Sequence, residues 1–336
     1  MNVEERITVL DHLNRDFDSR KDYWDVVIHR ASASNSWFTP GNIRNSIEAI
    51  RSRMLDPGKL KNWVTDYSQA VAPKKIGLIM AGNLPLVGFA DWLAVFISGH
   101  KALVKCSDKD NVLFPALMQR LNEISPDAGQ YTAIVERLKD YDAVIATGSN
   151  NTAVYFESYF SNVPHIIRKN RTSIAVIHPD DSPEVLTLLN RDIHSYFGLG
   201  CRNVSKLYLP EGFDIQLLMR ILEEESDNIL FNKYKNNFDY NLSIYMLNKV
   251  PFHTDNNIIL IEDESLFSRI ACLHYEWYTD TSSVTEAIKA RLDDIQCIVS
   301  SKPLEGLNVI APGTTQQPAL NDYADNVDTM EFLSKL

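Results

Sequence analysis

One cysteine lies in a sequence context that suits covalent chemistry. Cys201 follows Gly198 and Gly200 in the segment SYFGLGCRNVSKLYLP and precedes a run of residues typical of a β-strand. A cysteine on such a connection can expose its sulfur, and the neighbouring Arg202 favours the thiolate, which is the attacking form. A buried structural cysteine is the alternative and the commoner role of a cysteine outside a disulfide. The pattern alone leaves both interpretations open.

The side-chain amide of Asn83 is a second candidate. It stands in the segment MAGNLPLVG, where a predicted strand ends at Met80 and a turn leads into a helix. An amide N–H in such a turn can donate a hydrogen bond to a developing oxyanion. Asparagine and proline are also ordinary turn residues, so a purely structural role is the competing interpretation.

Two further connections carry residues suited to a nucleotide. In DAVIATGSNN, Gly148 and Ser149 lie between a predicted strand and a helix, whose N-terminal amides can bind a phosphate. In KALVKCSD, Lys105 ends a strand and Asp108 follows it, which suits contacts with a ribose or a phosphate. For these two residues a solvated surface charge is the alternative. The sequence contains no GxGxxG fingerprint, and no His or Cys spacing that predicts a metal site.

The elements that would position these residues alternate between strand and helix. From residue 74 onward, short runs rich in Val and Ile, such as KKIGLIMAG and DAVIATG, are separated by helical patterns, which predicts parallel β-sheets. We expect an N-terminal helical segment (1–70), a dinucleotide-binding domain (71–197), a catalytic domain with the nucleophilic cysteine (198–312) and a C-terminal arm (313–336). The arm is expected to reach another domain or subunit.

Composition restricts the class of partner. The sequence has 33 Lys and Arg against 44 Asp and Glu, a net charge of −11, which disfavours nucleic acid and anionic membranes and favours a small molecule. Four cysteines without a CxxC pair predict reduced thiols and a cytoplasmic location. The charged N-terminal sequence predicts no signal peptide, and polar residues interrupt the longest apolar region, which predicts no membrane span.

The order of the motifs NLPL, VKCSD, ATGS and GLGC resembles the aldehyde dehydrogenase superfamily. Within it, the sequence is most similar to acyl-CoA reductases related to the fatty-acid reductase of bacterial luminescence. The resemblance implies an α/β fold, with a parallel-sheet dinucleotide-binding domain and a second α/β catalytic domain. It implies that Cys201 is the nucleophile and that Asn83 shares the oxyanion hole with the Cys201 backbone N–H. It also implies a set of residues that contact the cofactor: Lys105, Asp108, Gly148 and Ser149.

Departures from the superfamily pattern point to the type of reaction. Hydrolytic aldehyde dehydrogenases carry a water-activating glutamate in an ELGGKSP-like segment, whereas RKNRTSIAVI places Arg168 near that position. An acyl-enzyme that is not readily hydrolysed is suited to exchange with coenzyme A. A second family glutamate, which binds the nicotinamide ribose, is matched only by Glu264, one position out of register.

The expected function is therefore reduction of an acyl-CoA to an aldehyde through a thioacyl-cysteine. NADPH is the expected cofactor, with NADH as the alternative because Asp108 suits a ribose 2′-hydroxyl. Coenzyme A is part of the substrate, and a homo-oligomer is compatible with the resemblance. Other interpretations are an aldehyde or acyl-phosphate oxidoreductase of the same superfamily, or a catalytically silent nucleotide-binding scaffold.

Overall fold

The computed structural model describes residues 1–224 and 227–336. They form two compact units, one of Met1–Asn170 with Pro318–Leu336 and one of Arg171–Gln317. Each unit is built around one β-sheet covered by helices, so the expected α/β fold with two domains is confirmed. No helix of the described residues is both long enough and apolar enough to cross a membrane.

Helices make up the beginning of unit 1. Asn2 and Glu5 form a capping box at the first helix, and Thr39 and Asp56 cap two later helices that have proline in the first turn. A π-helical turn at Ile50–Met54 continues the third helix. These helices are α1 (Val3–Ser19), α2 (Lys21–Ser34), α3 (Pro40–Ala49) and α4 (Pro57–Val64).

The rest of unit 1 alternates between strand and helix, as the apolar runs predict. Its strands are β1 (Lys75–Ile79), β2 (Lys101–Lys105), β3 (Thr132–Ile134), β4 (Ala143–Thr147) and β5 (His165–Arg168). Its helices are α5 (Phe89–Ser98), α6 (Leu113–Ile124), α7 (Pro126–Gly129) and α8 (Asn150–Tyr159). The sheet is parallel in the order β3-β2-β1-β4-β5. The chain therefore leaves the central strand β1 toward β2 and later returns to the other side of β1 with β4.

Unit 2 contains a second, six-stranded sheet in the order β11-β6-β7-β10-β9-β8. Only the short pair β8 and β9 is antiparallel among these strands. The strands are β6 (Thr172–Val176), β7 (Val204–Pro210), β8 (His253–Thr254), β9 (Ile259–Glu262), β10 (Cys272–Tyr278) and β11 (Ile295–Ser300). The helices are α9 (Pro183–His194), α10 (Ile215–Glu224), α11 (Asn232–Leu247) and α12 (Thr281–Lys289).

The units divide between residues 170 and 171, whereas the sequence placed the domain boundary between residues 197 and 198. Strand β6 accounts for the difference, because it pairs in parallel with β7, where Ile174 lies opposite Lys206. An apolar run such as SIAVIHP predicts a strand equally well in either sheet. The sheet that it joins depends on pairing with residues far away in the sequence.

The C-terminal segment packs on unit 1, to which residues 318–336 belong. Its last helix is α13 (Thr329–Ser334). The Trp63 indole donates a hydrogen bond to the Tyr323 hydroxyl (2.8 Å), and the Tyr67 hydroxyl donates to Asp328 (2.7 Å). The His100 ring lies 3.1 Å from the Leu333 carbonyl oxygen. The segment that follows unit 2 therefore returns to the unit that contains the N-terminus.

Candidate active site

The predicted cofactor residues all lie at the carboxyl edge of the unit 1 sheet. Lys105 is the last residue of β2, and Asp108 begins the short 3₁₀ turn that follows it. Gly148 and Ser149 connect β4 to α8. Strands β2 and β4 flank β1 on opposite sides, so the connections diverge at this edge. Such a topological switch point is where ligands bind in open parallel sheets.

The turn between β4 and α8 is tight and leads directly into the N-terminus of α8. Ser149 caps α8, because its Oγ accepts a hydrogen bond from the Thr152 N–H (3.3 Å). A Cβ on Gly148 would lie 3.0 Å from Thr152 and 3.2 Å from the Phe156 ring, so glycine permits the tight turn. Helix N-terminal amides, the Lys105 ammonium and the Asp108 carboxylate at one edge form a donor and acceptor set that fits a nucleotide.

The turn that carries Asn83 is held from both sides. Asp110 Oδ2 accepts a hydrogen bond from the Leu86 N–H (2.8 Å), and Leu86 has a positive φ of 56°. The Ser46 hydroxyl donates to the Pro85 carbonyl oxygen (2.7 Å). These bonds fix the backbone of a turn in which Asn83 itself is exposed. These hydrogen bonds indicate that the turn is a fixed support for the exposed Asn83 side-chain amide.

Asp110 is a residue of this site that the sequence analysis missed. Its carboxyl group is buried, and burial raises its pKa to about 6. It comes two residues after Asp108, which the family resemblance singled out instead. No local pattern distinguishes the two acids, because their roles depend on which side chain turns toward the Asn83 turn.

Cys201 lies in unit 2, on the connection between α9 and β7, and is half-buried. The preceding Tyr196, Phe197 and Gly198 all have left-handed backbones, with φ of 51°, 61° and 73°. The Phe197 ring stacks on Phe231 at a centroid distance of 4.7 Å. The Cys201 carbonyl oxygen accepts a hydrogen bond from the Ser173 hydroxyl (2.9 Å). The connection is therefore an ordered, tightly packed turn.

The four cysteines carry thiols, and their surroundings differ. Burial raises the pKa of Cys106 to about 11 and that of Cys272 to about 12, so both are protonated at neutral pH. Arg202, which the sequence assigned to Cys201, donates from Nη1 to Sγ of the buried Cys297 (3.3 Å). The sequence did not predict this contact, because Cys297 lies on β11, far from Arg202 along the chain.

Arg168 is the last residue of β5, and contacts within unit 1 hold its side chain in place. The guanidinium is buried and forms a bidentate ion pair with Asp91, with distances of 2.6 Å from Nη2 to Oδ1 and 3.2 Å from Nε to Oδ2. It also donates to the Ala324 carbonyl oxygen (2.5 Å) and the Thr329 hydroxyl (2.8 Å). Arg168 thus joins α5 to the C-terminal segment. Its guanidinium cannot act as a water-activating base, since it stays protonated in proteins.

We predict that Asp91→Ala lowers the free energy of unfolding by about 3–5 kcal/mol, because it leaves the Arg168 guanidinium buried without its carboxylate. Urea denaturation followed by circular dichroism measures this change. Asp239→Ala, which removes an exposed ion pair with Lys235, is the control and should cost at most about 1 kcal/mol. Equal losses in the two variants would contradict the role assigned to Arg168.

Glu264 lines a cleft of about 550 Å³ in unit 2. Its other lining residues include the aromatic Tyr275 and Trp277 and three more acids, which are Glu262, Asp263 and Glu276. So many carboxylates repel the phosphates of a nucleotide. The cleft is therefore a poorer candidate for a phosphate site than the carboxyl edge of unit 1. Among the described residues, no group of His, Cys, Asp and Glu is arranged to hold a metal ion.

The sequence matches the model of a known protein family. The family model described as acyl-CoA reductase (LuxC) matches residues 12–229, which is more than half of the chain. The matched region includes Asn83, Lys105, Gly148 and Cys201. No curated protein matches the sequence.

Similar solved structures include several aldehyde dehydrogenases. The Mycobacterium tuberculosis enzyme complexed with NAD⁺ is 14% identical, with a TM-score of 0.64 over 89% of this chain and 73% of that chain. The NAD-dependent enzyme from Sinorhizobium meliloti is 12% identical, with a TM-score of 0.66 over 91% and 71%. The Physcomitrella patens enzyme in complex with succinate is 12% identical, with a TM-score of 0.65 over 90% and 74%. These likenesses confirm the expected aldehyde dehydrogenase-like fold.

Proposed function

Because the chain belongs to the acyl-CoA reductase (LuxC) family, we propose that it reduces an acyl-CoA thioester to an aldehyde through a thioacyl intermediate on Cys201. Family membership and fold make the protein an oxidoreductase of acyl or aldehyde groups. The observation that carries the finer proposal is the family match, which spans both Asn83 and Cys201. NADPH is the proposed reductant, and NADH is the alternative.

In the proposed first half-reaction, the Cys201 thiolate attacks the thioester carbonyl carbon. A carbon–sulfur bond to Cys201 forms, and the coenzyme A thiolate leaves when the tetrahedral intermediate collapses. The Asn83 amide and the Cys201 backbone N–H donate hydrogen bonds to the oxyanion, which carries the charge that develops in the transition state. Covalent catalysis of this kind divides one difficult step into two easier ones.

In the second half-reaction, the protein holds the reductant against the thioacyl group. The nicotinamide, when bound, supplies the hydride that reduces the thioacyl carbonyl. We propose that Lys105 and Asp108 contact a ribose of the cofactor and that Gly148 and Ser149 contact its phosphates. The same oxyanion donors stabilise the resulting thiohemiacetal oxyanion, which releases the aldehyde and restores the Cys201 thiolate.

The environment of Arg168 supports reduction over hydrolysis. A hydrolytic enzyme needs a base that activates water against the thioacyl carbon. The residue that the family resemblance places near that base is here Arg168, which is buried and paired with Asp91. Its guanidinium stays protonated and accepts no proton. An acyl group on Cys201 is then retained for transfer or reduction.

We predict that mixing the protein with acetyl-, octanoyl- or tetradecanoyl-CoA, without a nicotinamide, gives an acyl adduct on Cys201. Intact-protein mass spectrometry followed by peptide mapping detects it. Acylation of Cys106 or Cys272 is not expected, because their raised pKa values keep these thiols protonated. Addition of NADPH or NADH should remove the adduct and release an aldehyde.

Other outcomes of this experiment favour the alternatives. An adduct from an acyl phosphate but from none of the acyl-CoAs would identify an acyl-phosphate oxidoreductase. A protein that oxidises aldehydes with NAD⁺ without requiring coenzyme A would be an aldehyde oxidoreductase. The absence of any adduct and of any turnover would point to the nucleotide-binding scaffold.

A further inference from the structure

Cys201 occupies a defined position in a β-turn. The Asn203 backbone N–H donates to the Gly200 carbonyl oxygen (3.0 Å), which closes a four-residue turn with Cys201 as its second residue. The Gly200 carbonyl and the Cys201 N–H belong to the same trans peptide, so they point in opposite directions. The bond to Asn203 therefore also sets the direction of the Cys201 N–H.

The Asn203 side chain is buried and ties this turn to the end of α9. Its Oδ1 accepts a hydrogen bond from the Gly200 N–H (2.8 Å). Its Nδ2 donates to the carbonyl oxygens of Asp192 (3.0 Å) and Ser195 (2.8 Å). Carbonyls at a helix C-terminus lack partners within the helix, so this amide satisfies two groups that would otherwise be orphaned. Only an amide supplies both the donors and the acceptor that these contacts need.

The strained backbone before the turn makes such anchoring necessary. Tyr196 and Phe197 have left-handed backbones without being glycine, a conformation that is unfavourable for residues with a Cβ atom. Strain of this kind persists only where the surroundings over-determine the backbone, and it is found most often at functional sites. Asn203 bonds to both ends of the strained segment, through Ser195 on one side and Gly200 on the other.

We propose that Asn203 is a positioning residue for the covalent step, and this inference rests on the proposed function. Its side chain holds the turn so that the Cys201 backbone N–H is aimed as an oxyanion donor before the acyl group arrives. Preorganised donors of this kind cost no reorganisation during the reaction. Ser173 supports the other side of Cys201, because its hydroxyl donates to the Cys201 carbonyl oxygen (2.9 Å).

Two reactions of the same sulfur separate positioning from general stability. Acylation by octanoyl-CoA passes through an oxyanion, whereas alkylation by iodoacetamide displaces iodide from a saturated carbon and forms none. In Asn203→Asp, which keeps the size and the acceptor but replaces the amide donor, we expect the acylation rate to fall about 10- to 100-fold. The alkylation rate should stay near the wild-type value, so the ratio of the two rates falls. Asn203→Ala should lower the ratio further.

Asn241→Asp is the matched control. Asn241 is a buried asparagine of the same unit, and its Nδ2 donates to the Ile270 carbonyl oxygen (2.9 Å), away from the Cys201 turn. This variant should lose stability and keep the wild-type ratio. An unchanged ratio in folded Asn203 variants, or an equal fall in Asn241→Asp, would overturn the inference.

Two further outcomes are distinguishable. If the Asn203 variants do not fold, Ser173→Ala decides, since it removes the hydrogen bond to the Cys201 carbonyl oxygen together with the one that Ser173 Oγ accepts from the Cys297 N–H (3.1 Å). An unchanged ratio there overturns the inference. If wild-type Cys201 is alkylated but accepts no acyl group, the proposed function fails and the inference fails with it. Acylation of the wild type with an unchanged ratio in the variants refutes the inference alone.

Discussion

Cys201→Ala is expected to reduce the proposed acyl-CoA reductase turnover by roughly 10⁴-fold or more, because it removes the proposed nucleophile and with it the thioacyl intermediate. The acyl adduct should disappear from the mass spectrum at the same time. The side chain is half-buried and alanine fits its volume, so the thermal midpoint should change little. Steady-state kinetics with NADPH, together with circular dichroism, measure both quantities.

Cys297→Ala provides the matched control for this prediction. Cys297 is a second thiol of unit 2, and it accepts the hydrogen bond from Arg202. Its removal should leave the acyl adduct on Cys201 intact. Near-normal turnover in Cys201→Ala would refute the mechanism, and loss of the adduct only in Cys297→Ala would move the nucleophile to Cys297.

Asn83→Ala is expected to lower kcat by about 10²–10³, which corresponds to about 2.7–4 kcal/mol of transition-state stabilisation. An interaction made only in the transition state lowers kcat and kcat/KM equally, so KM should stay nearly constant. Asn83 is exposed at its turn, and the anchors of that turn are Asp110 and Ser46, so folding should be intact. Steady-state kinetics at varied acyl-CoA concentration separate the two constants.

Asn111→Ala tests whether any asparagine at this edge of unit 1 has such an effect. Asn111 is exposed and follows β2, and its Oδ1 accepts a long hydrogen bond from the Ser34 hydroxyl (3.4 Å). Its replacement should leave kcat unchanged. A rise in KM without a change in kcat in Asn83→Ala would show that Asn83 contributes to substrate binding and not to the oxyanion.

The sequence alone determined the α/β fold class, the family and the edge of the sheet at which the predicted cofactor residues lie. Each of these depends on local information. Runs rich in Val and Ile mark the strands, and residues such as Lys105 and Gly148 stand directly at strand ends. Because parallel strands share a carboxyl edge, the residues that follow them meet there in any fold that pairs those strands.

Only the tertiary structure decided which groups support the candidate residues. Asp110 holds the Asn83 turn, Arg202 contacts Cys297, and Arg168 pairs with Asp91 far away in the sequence. The sheet to which β6 belongs and the return of the C-terminal segment to unit 1 were decided in the same way. Such contacts depend on side-chain directions and on pairing between distant segments. Hydrophobic periodicity reports the face of an element that is buried, but it does not report the partner against which that face is buried.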